Sequence, residues 1–171
     1  MKIMIASGCL ALSATAQAAP NSPLLGSWAL DLQHSQIPVD QRPKSVTMTY
    51  KTAAAGKWTT DVAIVGSNDA KINATGTYPL DGTPAPSTGY HNVDTVAAKV
   101  PAPNVLVMAF YKEGMPRTTR TYTVSRDGKT MSETIVWLNL NGKPEITTNQ
   151  FQAIALTAFA RPGRAIRHAT Q

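Results

Sequence analysis

Arg120-Thr121-Tyr122-Thr123-Val124-Ser125-Arg126-Asp127-Gly128-Lys129-Thr130-Met131-Ser132-Glu133-Thr134-Ile135-Val136-Trp137 is the stretch that decides the fold. Before Asp127-Gly128, Tyr122 and Val124 alternate with Thr121, Thr123 and Ser125; after it, Met131, Ile135 and Trp137 share one parity. Period-two alternation is the pattern of a half-buried strand. Asp-Gly supplies the positive φ angles that a two-residue hairpin demands. Such a turn sets Arg126 against Lys129, Val124 against Met131, Tyr122 against Glu133 and Arg120 against Ile135. A wrong register would throw one apolar set to the opposite face, and here both sets fall together. The same parity carries Arg120 and Glu133 inward on either side of Tyr122, as diagonal neighbours within side-chain reach.

Working outward, the same pattern recurs. Val46, Met48 and Tyr50 alternate with Ser45, Thr47, Thr49 and Lys51. Trp58, Thr60, Val62 and Ile64 form one face of a second run, and Ile72, Ala74 and Tyr78 of a third. Val105 to Tyr111 is apolar on both parities, as for a strand covered on both sides. Turn pairs punctuate the runs at Asp81-Gly82, Glu113-Gly114, Asp127-Gly128 and Asn141-Gly142. Helical periodicity is absent. The expected fold class is all-β: an up-and-down antiparallel β-barrel of about eight to ten strands in a single domain. Closure is expected because it removes sheet edges, and the short turns favour a meander over Greek-key crossings.

The chain has 171 residues, enough for one ordinary domain that buries its own core. Met1-Lys2, an apolar stretch from Ile3 to Ala16, and Ala16-Gln17-Ala18 read as a secretory signal peptide over residues 1–18. The domain is then expected over 19–155, with a basic, poorly ordered tail over 156–171. The expected location is outside the cytoplasm, periplasmic or secreted. With one cysteine, Cys9, the chain carries neither a disulfide framework nor a multi-cysteine zinc site. No window reaches 18 apolar residues, so no membrane-spanning helix is expected. From Ala19 to Ala160, 12 Lys and Arg face 10 Asp and Glu, while Arg161, Arg164 and Arg167 crowd the end. A nucleic-acid partner is not expected, because that excess makes no basic stripe on the body. The tail offers at most weak contact with an anionic surface.

Around this frame, Leu25-Gly26-Ser27-Trp28-Ala29-Leu30-Asp31 resembles the Gly-x-Trp opening of lipocalins and related calycin barrels. The resemblance extends to small exported bacterial lipocalin-like proteins. Ser35 follows that opening, and Asp81-Gly82, Pro84, Gly89 and Asp94-Thr95 resemble their middle segment. Ser125 to Met131 and the turn from Asn141 to Pro144 complete the pattern, over about residues 24–155. The resemblance implies a closed β-barrel with a cavity, and carries no activity over to this chain.

A buried guanidinium is costly unless it is paired. Arg120 has two readings. In one it is a structural group, matched by Glu133 or stacked on an aromatic such as Trp28. In the other, Arg120, Tyr122 and Glu133 form a ligand-headgroup site. Arg120-Thr121-Tyr122 resembles the Arg-x-Tyr pair with which fatty-acid-binding proteins hold a carboxylate, although Glu133 neutralises the cation in advance. Trp58 and Trp137, with Tyr50, Tyr78 and Tyr111, are either walls of a cavity or filling of a core. Aromatics make up only 6% of the chain, and small liners favour a hollow.

Of the three histidines, His34 sits in a loop and His168 in the tail; His91 with Asp94 is the one candidate catalytic pair, as base and orienter. No metal motif, nucleophile elbow or P-loop is present, and no cofactor is expected. The expected function is therefore binding without chemistry: a monomeric exported barrel holding a small apolar or amphipathic molecule, acidic ones included. The alternatives are a cavity enzyme of isomerase or cyclase type, using His91 and Asp94 or Arg120, Tyr122 and Glu133 as acid–base groups, and a ligand-free structural envelope protein.

Overall fold

The computed structural model describes residues 21–154, so the signal-peptide reading, Cys9 and the basic tail lie outside the described residues. Ten antiparallel strands follow one another: β1 Gly26–Leu30, β2 Ser45–Thr52, β3 Trp58–Val65, β4 Lys71–Tyr78 and β5 Asp81–Thr88. They continue as β6 Thr95–Ala102, β7 Val105–Lys112, β8 Met115–Val124, β9 Thr130–Leu138 and β10 Pro144–Ile154. Each strand pairs with its chain neighbours, and β1 pairs with β10, so the sheet is a closed up-and-down barrel. Two short 3-10 turns, Val39–Gln41 and Ala54–Gly56, are the only helical elements among the described residues.

The hairpin that anchored the sequence reading has the expected register: Val124 faces Met131, Tyr122 faces Glu133 and Arg120 faces Ile135. Its turn differs. Arg126 to Lys129 form a four-residue loop between Ser125 and Thr130, built on a Gly128 N–H to Ser125 carbonyl bond of 3.0 Å. Gly128 alone takes the left-handed conformation, with φ 70°. Asp127 instead uses Oδ1 to accept from the Ser125 hydroxyl and the Lys129 amide. The loop lengthens equally on both sides, which leaves the pairing unchanged. A tight two-residue turn with positive φ at both positions does occur, at Glu113-Gly114 (φ 54° and 74°). Asp81-Gly82, expected as a turn, lies at the start of β5.

The barrel is filled at one end and hollow at the other. Leu24, Trp28, Tyr50, Trp58, Val124 and Met131 are almost fully buried and pack the filled end. Leu24 enters from the segment before β1, and the Trp28 indole donates to its carbonyl at 3.0 Å. This bond accounts for the Gly-x-Trp opening: Trp28 closes the barrel floor against Leu24, not against a cation. Truncating such a side chain to alanine costs about 3–5 kcal/mol. Val105, Val107, Ala109 and Tyr111, the outward set of β7, are half-buried rather than covered by a second layer.

The β4–β5 seam is the thinnest. Its register holds only Thr75 with Thr88 and Gly76 with Ser87. Pro84 and Pro86 lie within β5 and lack the N–H that a ladder needs.

Candidate functional site

The hollow end is a cavity of about 830 Å³ whose only charged liners among the described residues are Arg120 and Glu133. Its walls are mainly apolar side chains from inward positions, among them Met108, Phe110, Ile135, Trp137 and Phe151. The 14 residues between β1 and β2, 31–44, pass over its mouth, where Ile37, Gln41 and Pro43 join the lining.

Glu133 is the hub of the polar cluster. β9 aims it inward, and it is buried to 2% exposure. Its Oε1 accepts from Arg120 Nη1 at 3.0 Å and from the Tyr122 hydroxyl at 2.9 Å. Its Oε2 accepts from Asn149 Nδ2 at 3.0 Å. Asn149 in turn accepts from the Ser35 hydroxyl at 3.1 Å, and Ser35 Oγ accepts from the Ile37 amide at 3.2 Å. The chain of bonds thus runs from the barrel interior into the segment over the mouth. Arg42 steadies that segment from outside, donating from Nη2 and Nε to the Ile37 carbonyl.

Arg120 lines the cavity with its side chain 31% exposed. Its guanidinium carbon sits 5.0 Å from the centre of the Phe110 ring, within cation–π range. Burial opposes its charge, but Tyr122 and Glu133 beside it more than offset this and raise its pKa. Burial, reinforced by Glu133, pushes the Tyr122 hydroxyl well above its ordinary value. Tyr50, set edge-on to Tyr122 at 5.9 Å between ring centres, is raised too, mainly by burial. Both phenols therefore stay protonated at neutral pH.

The structure brings Arg120, Tyr122 and Glu133 together and adds two residues that the sequence reading missed, Asn149 and Ser35. Arg120 stacks on Phe110 rather than Trp28. Trp137 lines the cavity half-buried, whereas Trp58 is buried at 3% exposure and does not line it. Tyr78 is a liner, while Tyr50 is core and Tyr111 points outward. His91 and Asp94 are not joined. His91 is exposed and packs against Tyr90, with 5.2 Å between ring centres. Asp94 accepts from the Glu113 amide and the Thr95 hydroxyl and lies 3.6 Å from Lys112. An Asp occupied in this way caps a turn and leaves the histidine without an orienter. No group of three or more His, Cys, Asp or Glu residues is placed to hold a metal ion among the described residues.

No protein-family model and no curated protein matches the chain. Among solved structures, it is similar to a single-site variant of the fluorescent protein UnaG, with TM-score 0.51 and 12% identity, over 78% of this chain and 97% of that one. Wild-type UnaG gives TM-score 0.50 and 12% identity, over 76% and 96%. At this identity the likeness is one of fold alone, a closed antiparallel β-barrel, here of ten strands.

Proposed function

We propose that this protein is an exported carrier that binds one small apolar or amphipathic molecule in its barrel and does not transform it. One observation carries the reading. A barrel whose floor is packed solid opens at the other end into about 830 Å³ of mainly apolar space around one buried ionic cluster. Ligand pockets have this size and this ratio of greasy wall to a few fixed polar groups. Arg120, Tyr122, Glu133 and Trp137 are the contacts proposed for the ligand. Binding without chemistry is favoured because the phenol and the carboxylate are bonded to one another and, among the described residues, no base–orienter pair faces the space. The similarity of fold to UnaG supports a barrel with an interior, and no more.

The test is native mass spectrometry of full-length protein purified from its own host. A bound molecule of a few hundred daltons, released unchanged on denaturation, is expected. Empty protein that also rejects fluorescent apolar probes contradicts the proposal, and release of a chemically altered molecule contradicts its carrier half. Export is tested separately by fractionating cells that express the full chain. Recovery of protein shortened by the first 18 residues outside the cytoplasm is expected, and a full-length cytoplasmic product contradicts it.

A further inference from the structure

We infer that the cavity selects an uncharged ligand whose polar group is a hydrogen-bond acceptor, such as a ketone, ester or amide carbonyl, over a carboxylate of the same shape. This rests on the proposed binding role and specifies which molecules the site takes.

Among the described residues Arg120 uses Nη1 for Glu133, and its buried Nε has no partner. Nη2 makes no hydrogen bond among those residues either. The Nε and Nη2 N–H groups lie along one edge of the planar guanidinium and point the same way, so they form an empty two-donor edge. Of the neighbouring donors, the Tyr122 hydroxyl and one N–H of the Asn149 amide go to Glu133. What the site lacks is therefore an acceptor. A purely apolar ligand would leave the buried Nε unsatisfied and would dry the Nη2 N–H groups as well, a penalty comparable to lost hydrogen bonds.

Charge decides which acceptor. Among the described residues Arg120 and Glu133 are the only charged groups lining the cavity, and they form an ion pair at 3.0 Å. The lining is thus neutral before any ligand arrives. A carboxylate docked on the open edge would be attracted by the guanidinium but repelled by Glu133 behind it. It would also bring an uncompensated charge out of water. A carbonyl oxygen takes the same two donors without that desolvation cost.

Three probes that share one flat apolar body separate the cases: pyrene, 1-acetylpyrene and pyrene-1-carboxylate, titrated at pH 7 against the full chain and followed by their fluorescence. Expected is 1-acetylpyrene binding about tenfold more tightly than either of the others, the worth of one well-made hydrogen bond. In Glu133→Gln the preference is expected to reverse toward the carboxylate. In Arg120→Met the ketone is expected to fall to the affinity of pyrene itself. If the carboxylate binds most tightly to the unsubstituted protein, the inference is wrong. If all three bind equally, the polar edge is not read, and the inference fails while the carrier reading stands. If none binds saturably, both fall. The order in the unsubstituted protein decides the matter even if a variant does not fold.

Discussion

Asn149 on β10 stands directly across from Glu133 on β9 and gives its side-chain amide to that carboxylate at 3.0 Å, while its carbonyl holds the hydroxyl of Ser35. One residue thus ties the barrel interior to the segment that crosses the mouth. The polar cluster is a continuous network rather than an isolated ion pair, and its parts stand or fall together.

Replacing Asn149 by Leu removes the link from both sides. Glu133 Oε2 and the Ser35 hydroxyl lose their partners, and the expected loss is about 1–3 kcal/mol of unfolding free energy, read by urea denaturation. The amide of Ile37, which donates to Ser35, is expected to exchange faster with solvent. A fully stable variant with an unchanged Ile37 amide contradicts the network.

The Arg120–Glu133 pair is expected to show strong coupling. Either single substitution, Arg120→Met or Glu133→Gln, strands the other group and should cost about 2 kcal/mol or more. The double variant should cost less than the sum of the two by at least about 1 kcal/mol. Additive losses in denaturant titrations would show that the pair is not an energetic unit.

Alkaline pH offers an independent check. The native pKa values of Tyr122 and Tyr50 are raised, so the native state holds both protons above pH 10, where the unfolded chain releases them. Stability is thus fully present below pH 10 and falls as pH rises beyond it. The tyrosinate absorbance of these two residues is expected to appear only with the unfolding transition. Tyr122→Phe should delete one equivalent from that late step, and an early, non-cooperative rise of the same equivalent contradicts the burial assigned here.

Along β4, protection from hydrogen exchange is expected to alternate. Amides directed at β3 meet a complete ladder, while most of those directed at β5 meet none. Uniform protection measured by NMR would mean that the β4–β5 seam closes in solution.

How much of this was legible in the sequence follows from turn chemistry. The hairpin of β8 and β9 read correctly because its loop grew symmetrically, and so Arg120, Tyr122 and Glu133 were placed on one inner face. Asn149 was not found because Asn141-Gly142 is not a two-residue turn. Leu140 to Gly142 form a three-residue loop closed by the Asn139 amide on the Lys143 carbonyl at 2.9 Å. A two-residue turn would have set Glu133 against Gln150 and turned Asn149 outward. β10 also lacks an apolar alternation, since its inward positions are Thr147, Asn149 and Phe151. β5 escaped for a different reason. It carries two prolines and no buried residue, so neither propensity nor period marks it as a strand. Trp58 and Trp137 share strand-like surroundings in sequence. Only the position of each along the barrel, one at the filled end and one toward the mouth, separates core from wall.

The three tryptophans make the central claim directly measurable, because each contributes one indole N–H signal to an NMR spectrum. In a titration with 1-acetylpyrene, the Trp137 indole is expected to shift saturably, together with the amides of Phe110 and Ile135, while Trp28 and Trp58 stay fixed in the packed floor. Shifts at Trp58 or along the outer face with Trp137 unmoved, or no saturable shift at any of the three, would contradict a ligand held in the open half of the barrel.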